Sequence, residues 1–271
     1  MGAGMLPGPG QTFSSGYEGL RVQRLAWAGV RLQLPTQALF IDPLADHEIW
    51  GAALPDALVP VDVSYGETER VVLVTHTHSD HCDPRAIASA LARGGTLAFA
   101  EGAVRPANLP AGIRLRACPL WEPQMFGDFT ATPVPAVDGY GDLQASWVVS
   151  AAGRRIFHGG DTMMHGAWWR IGRQFGGFDA AFMPINGAAF SFIQPATEAS
   201  AVLTPEQAMD AAAILGAERL VPIHYGIRGA DQYSEVSDPM GRLSRAVSGG
   251  GPKIVVLQPG EWLDWNEPVR S

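Results

Sequence analysis

The chain is short of lysine, of cysteine, of charge and of long apolar runs, and each shortage removes a class of protein. One lysine, Lys253, stands against eighteen arginines in 271 residues. Charged residues make up 17%, below the roughly 25% of ordinary globular chains, and the formal net charge is −8. An acidic excess without a basic cluster offers phosphate backbones no counter-surface, so no nucleic-acid partner is expected. Two cysteines, Cys82 and Cys118, allow at most one bridge, and a chain of this size needs no staple. No apolar run reaches the roughly 18 residues of a membrane helix, so no membrane span is expected. The leading MGAGMLPGPGQTFSSG has neither a positive n-region nor an apolar h-region, and Leu6 stands where a myristoylation motif takes Ser or Thr. Residues 1–18 therefore read as a flexible leader and 19–268 as a single domain. The cytoplasm is the expected compartment, a small molecule the expected partner, and a homo-oligomer is possible.

What is present is a series of short strand-forming runs between turn clusters. They fall at 20–26, 38–41, 71–75, 96–100 and 113–117, then at 128–133, 146–149, 155–158, 180–183, 219–223 and 253–257. Asp83 followed by Pro84 predicts an N-capped helix that Gly94–Gly95 stops. Thr204-Pro-Glu-Gln207 predicts a capping box opening a second helix, closed by Gly216. A third, weaker helix is predicted over 166–175, carrying Trp168 and Trp169. Many strands with intercalated helices indicate a layered α/β or α+β domain.

Directly after the apolar 71–74, the chain reads Thr-His-Thr-His-Ser-Asp-His-Cys-Asp. His76, His78, Asp80 and His81 form the pattern H-x-H-x-D-H. Side chains two apart at a strand end share a face, so His76 and His78 can converge on one ion while the turn swings Asp80 and His81 towards a second. Imidazole with carboxylate suits zinc, manganese or iron without a thiolate, and Cys82 reads as a packed residue under the loop. Two further segments have the same character. Arg155-Ile-Phe-His158-Gly-Gly-Asp161 runs a strand into a glycine turn that delivers an acid, and Leu220-Val-Pro-Ile-His224-Tyr225-Gly226 places a histidine at a strand end.

In series, these segments resemble the metallo-β-lactamase superfamily, and within it the metal-dependent hydrolases similar to ascorbate-6-phosphate lactonase and to N-acyl-phosphatidylethanolamine phospholipase D. Leu39-Phe-Ile-Asp42-Pro43 matches an early strand of that superfamily. The resemblance implies an α+β fold, a four-layer αβ/βα sandwich, with two divalent ions, zinc or manganese with iron possible, at one edge of two facing mixed sheets. It implies that His76 and His78 hold the first ion, that Asp80, His81 and His224 hold the second, and that Asp161 bridges them. Asp42 would orient a ligand histidine. The implied activity is hydrolysis of an ester, lactone or phosphodiester of a small molecule by water that the ions activate, with Asp80 and Asp161 at the nucleophile and Tyr225 at a developing oxyanion. One position departs from the pattern: Val134-Pro-Ala-Val-Asp138 stands where V-P-A-x-H supplies a third first-site histidine. Asp138 is the expected replacement, which leans the site towards harder ions, and His165 is the reserve and otherwise lines the pocket. Two rival readings are a metal-binding scaffold with a degenerate site and no turnover, and diiron redox chemistry. Flavodiiron relatives of the fold usually carry Glu at the position of His78.

Overall fold

The computed structural model describes residues 19–46, 50–61, 69–92, 94–192, 194–247 and 250–266. The leader expected at 1–18, His47 and residues 267–271 lie outside them. The first half comprises β1 (Arg21–Arg24), β2 (Val30–Leu34), β3 (Gln37–Ile41), β4 (Glu69–Leu73), α1 (Pro84–Leu91), β5 (Thr96–Ala100) and β6 (Arg114–Cys118). The second comprises β7 (Gln124–Phe126), β8 (Phe129–Ala136), β9 (Gln144–Ala151), β10 (Arg154–His158), α2 (Trp168–Phe175), β11 (Ala180–Pro184), β12 (Ala189–Phe190), α3 (Pro205–Ile214), β13 (Arg219–Ile223), β14 (Tyr233–Ser234), α4 (Pro239–Arg245) and β15 (Lys253–Ile254). Six strands pair in the order β1-β2-β3-β4-β5-β6, seven in the order β15-β13-β11-β10-β9-β8-β7, and β12 pairs with β14.

Both large sheets are mixed. β3 to β6 run parallel, as do β10, β11, β13 and β15, while the remaining neighbours are antiparallel. The strands at the centre of each sheet, such as β3, β5, β11 and β13, are largely apolar because each face meets a core. Leu39, Ile41, Val71 and Leu73 point into the space between the sheets, where Trp147, Val149, Ile156, Phe182, Val221 and Ile223 meet them. Their alternates Ala38, Phe40, Val72 and Val74 pack under α1. Across the second sheet, Val148, Phe157, Met183 and Leu220 pack under α2 and α3. Period-two alternation between two apolar environments makes a helix–sheet–sheet–helix sandwich, which is the expected α+β architecture.

The helices begin where their caps predict. Asp83 Oδ1 accepts from the amides of Arg85 and Ala86, and its Oδ2 accepts from Ala45 N at 2.8 Å, tying α1 to the loop after β3. Thr204 and Gln207 close a reciprocal capping box on α3. Four features were not marked by the apolar runs: β2, β7, the β12–β14 pair and α4. β2 is the alternating V-R-L-Q-L, and α4 is a seven-residue helix capped by Asp238 in the left-handed region. The last predicted run, 253–257, is a strand only over its first two residues.

Candidate metal centre

The parallel strands of both sheets deliver their C-terminal ends to one place. Asp42 follows β3, the 75–81 loop follows β4, Gly159–Asp161 follows β10, and His224 follows β13. Asp42 and His224 sit at φ 45° and 54°, in the left-handed region that non-glycine residues seldom occupy, so tertiary contacts hold the chain there.

Asp42 is the brace. It is fully buried; Oδ1 accepts from Thr75 N at 2.8 Å, while Oδ2 accepts from Thr75 Oγ1 at 2.6 Å and from His81 Nδ1 at 2.8 Å. Having donated to Asp42, the Thr75 hydroxyl accepts from His76 Nδ1 at 2.9 Å. One carboxylate therefore holds two imidazoles through Nδ1 and turns both Nε2 atoms inward.

Those atoms converge. Ligand atoms of His76, His81 and Asp161 lie within 4.8 Å of one another, as do those of Asp80, His81 and His224. His81 Nε2 is 3.1 Å and His224 Nε2 2.7 Å from Asp161 Oδ1, and His81 Nε2 is 3.7 Å from Asp80 Oδ2. Despite that proximity, His76 Nε2, His81 Nε2, His224 Nδ1 and Nε2 and Asp161 Oδ1 are buried without an aligned hydrogen-bond partner. Orphaned polar atoms at this density are costly unless something else satisfies them. Imidazole and carboxylate donors closing on common points fit a divalent cation.

Charge is distributed accordingly. Burial opposes a charge on His81, but Asp161 and Asp80 overcome it and hold its pKa well above the ordinary histidine value. Burial likewise opposes charge on Asp161, yet His224 and His81 hold its carboxyl well below the usual range. His76 is held well below the ordinary value by burial and then by the neighbouring charge of His81. Metal-free, the cluster stores a proton on His81 against Asp161.

The other expected residues lie around this cluster. His78 is part-exposed at the loop's outer side, its ring 4.4 Å from His76 and its Nε2 3.1 Å from Asp142 Oδ2. Asp138 is 5% exposed and belongs to neither convergent group among the described residues; its Oδ1 accepts from the amides of Tyr140 and Gly141. Burial and the charge of Asp161 push its carboxyl pKa up. His165 stacks on Trp168 with ring centroids 4.9 Å apart and accepts from Ala167 N, and Trp168 itself is core. Tyr225 lies under the Arg24 guanidinium, 5.2 Å from its ring centre. Cys82 packs with the residues under α1, and burial pushes its thiol up to about 12.

The family described as beta-lactamase superfamily domain matches residues 37–225, a span holding every expected ligand. The chain belongs to that family. A UPF0173 metal-dependent hydrolase of Thermus thermophilus is 32% identical over 170 residues, covering 57% of this chain and 65% of that relative. The match thus spans less than two-thirds of that relative's length. A UPF0173 metal-dependent hydrolase of Pyrococcus abyssi is 24% identical over 235 residues, 84% of this chain and 92% of the relative. Among solved structures, Igni18, a metallo hydrolase of Ignicoccus hospitalis, superimposes with a TM-score of 0.62 at 18% identity, covering 90% of this chain and 97% of its own. That last likeness is one of fold.

Two site residues of this family member, Trp27 and Tyr233, carry no motif, and a third, His158, lies in the strand-to-turn segment without a role expected of it. Trp27 donates its indole N–H to Asp80 Oδ2 at 3.1 Å, and its ring tilts over His224 at 4.0 Å. His158 donates Nε2–H to Ala28 O at 2.7 Å and receives the Gly160 amide at Nδ1, fixing the turn before Asp161. The Tyr233 hydroxyl accepts from Asn186 Nδ2 at 2.6 Å; burial, followed by Asp161, Glu235 and Asp80, raises its pKa so that it stays protonated. Trp27 and Tyr233 come from segments far from the H-x-H-x-D-H loop, and only the fold brings them to it.

Proposed function

We propose that the chain is a metal-dependent hydrolase that cleaves an ester, lactone or phosphodiester bond of a small molecule at a two-ion centre. The observation that carries this is the convergence of buried, partnerless donor atoms from His76, His81, His224 and Asp161 at the strand ends of both sheets. Asp80, His81 and His224 with Asp161 would hold one ion, and His76 and His78 with Asp161 and a carboxylate of the 138–142 loop would hold the second. The donor set suits zinc or manganese. Divalent ions held there supply Lewis acidity and lower the pKa of water to near neutrality.

The protein's own part is orientation and proton control. Asp42 and Thr75 hold Nδ1 of His81 and His76, so that Nε2 of each faces the ion side. Trp27 pins Oδ2 of Asp80, so that carboxylate keeps a fixed direction towards the nucleophile. Tyr233, part-buried, keeps its phenol protonated because burial, then Asp161, Glu235 and Asp80, raise its pKa, and its hydroxyl accepts from Asn186 Nδ2. The segment resemblance to lactonase-like and phospholipase D-like proteins supports the choice of bond class. Chelation followed by reloading with Zn²⁺ or Mn²⁺ tests the reading on a panel of lactones, esters and phosphodiesters. Hydrolysis is expected to vanish with the metal, return on reloading and be lost in Asp161→Asn. Turnover indifferent to chelation overturns the proposal.

A further inference from the structure

The rings around the centre form a closed circuit. His224, His81, His76 and His78 follow one another with centroids 5.2, 4.2 and 4.4 Å apart. From His78 the contacts continue to Tyr140 at 4.8 Å, Phe192 at 6.2 Å and Phe190 at 5.1 Å. From Phe190 they pass to Tyr233 at 5.6 Å, Trp50 at 4.7 Å, Trp27 at 5.8 Å and back to His224 at 4.0 Å. Ligand histidines make one arc and apolar rings the other. Trp27 is buried and Tyr233 part-buried, but Phe192 and Tyr140 are each 49% exposed. Leaving large rings in water beside a polar centre costs solvation without serving the core, which marks them as a surface built for contact.

The adjoining cleft sharpens the chemistry. It holds about 730 Å³ and shares Phe190 and Tyr233 with the circuit. Among the described residues no lysine or arginine lines it, whereas Glu198 and Glu235 do, the latter's carboxylate accepting from the amides of Gly226 and Ile227. An anionic substituent lying in the cleft therefore finds no guanidinium or ammonium partner and meets the carboxylate of Glu198.

Resting on the hydrolase reading, we propose that the substrate is an uncharged carboxylic ester or lactone whose aryl or acyl-chain substituent packs against Phe190, Phe192 and Tyr140. In its hydrolysis the water oxygen bonds to the acyl carbon, and the acyl C–O bond breaks with its electron pair on the leaving oxygen. One water proton ends on that oxygen, and the product acid releases the other at neutral pH. The apolar arc takes no part in those bonds; it holds the substituent.

Two measurements test this. Metal-reloaded protein is assayed with 4-nitrophenyl acetate, 4-nitrophenyl octanoate and bis(4-nitrophenyl) phosphate. Separately, the neutral, unhydrolysable ketone 4-phenyl-2-butanone and the anion phenyl phosphate are titrated by tryptophan fluorescence. The octanoate is expected to exceed the acetate in kcat/KM by at least about tenfold, the scale of burying several methylenes, and the phosphodiester to be the poorest substrate. The ketone should bind and phenyl phosphate should not. Phe192→Ala should erase most of the chain-length preference and weaken the ketone, while Val104→Ala, an exposed apolar change outside the circuit, should do neither. Ester hydrolysis without chain-length preference, or a ketone affinity unmoved in Phe192→Ala, overturns the apolar wall and leaves the hydrolase reading standing. Turnover of the phosphodiester with neither ester hydrolysed overturns the ester assignment and leaves the hydrolase reading standing, whereas turnover of none of the three under any metal overturns both.

Discussion

At the scale of single residues, the centre depends on positions that leave no room. Gly160 has φ 63°, and a Cβ there would meet Thr75 Cγ2 at 2.7 Å and Cβ at 2.8 Å. Thr75 carries the hydrogen bonds that join Asp42 to His76, so Gly160→Ala strikes the brace as well as the backbone. A loss of about 1–3 kcal/mol in chemical denaturation is expected, with weakened metal binding by calorimetry. Wild-type stability in that variant would mean the HGGD turn tolerates a methyl and the brace is not tight. The 138–142 loop poses a second residue-level question. Asp138 occupies the position the resemblance assigns to a ligand, but one of its oxygens serves two backbone amides, while Asp142 Oδ2 is the carboxylate atom at His78. Metal analysis after dialysis should therefore find the larger loss of the second ion in Asp142→Asn. A larger loss in Asp138→Asn would give the role to Asp138.

At the scale of elements, much was legible because the signals are local. The Asp83 and Thr204 caps, the glycine stops and the H-x-H-x-D-H loop at a strand end depend on neighbours within a few residues. What escaped is set by distant partners: β2 earns its place by pairing with both β1 and β3, β12 and β14 exist only as each other's partner, and the site roles of Trp27 and Tyr233 arise from packing. α4 is of this kind too, because its seven residues are held on α3 by the two-point pair of Arg242 with Glu206, both bonds 2.8 Å. The Arg242 guanidinium lowers the Glu206 carboxyl from 4.5 to about 2. A depressed carboxyl contributes stability that is present above its unfolded pKa and lost as the pH falls through the folded one. The benefit of Glu206 over Glu206→Gln should therefore be full above about pH 4.5 and gone below about pH 2. The pair is largely solvent-exposed, so the difference should be no more than about 1 kcal/mol, read from denaturation of both proteins across that window. A difference that persists below pH 2 would assign the effect to packing.

For the whole molecule, the centre is where the two sheets are joined, and a proton and a cation compete for the joint. Asp42, His76 and His81 belong to the first sheet's strand ends; Asp161 and His224 belong to the second's. Without metal, His81, with its raised pKa, bridges to Asp161 as a protonated imidazole. A group whose pKa is raised on folding contributes stability that is full below its unfolded value of about 6.5 and disappears as the pH rises through the folded value. His76 and His158, both lowered, are neutral in folded and unfolded chains above pH 6.5 and drop out of that window. Chelated protein should therefore lose thermal stability as the pH climbs above 6.5. A bound divalent ion needs His81 neutral, so its binding expels that proton, and affinity should rise up to tenfold per pH unit until His81 no longer holds one. By mass action the metal-induced rise in Tm then grows with pH over the range where the chelated protein weakens. Calorimetry with Zn²⁺ and with Mn²⁺ in buffers of different ionisation enthalpy should count about one proton released near neutrality, and none in a His81→Gln variant. A Zn²⁺ affinity flat from pH 6.5 to 8 would mean that His81 is already neutral and that no proton links the strand ends of the two sheets.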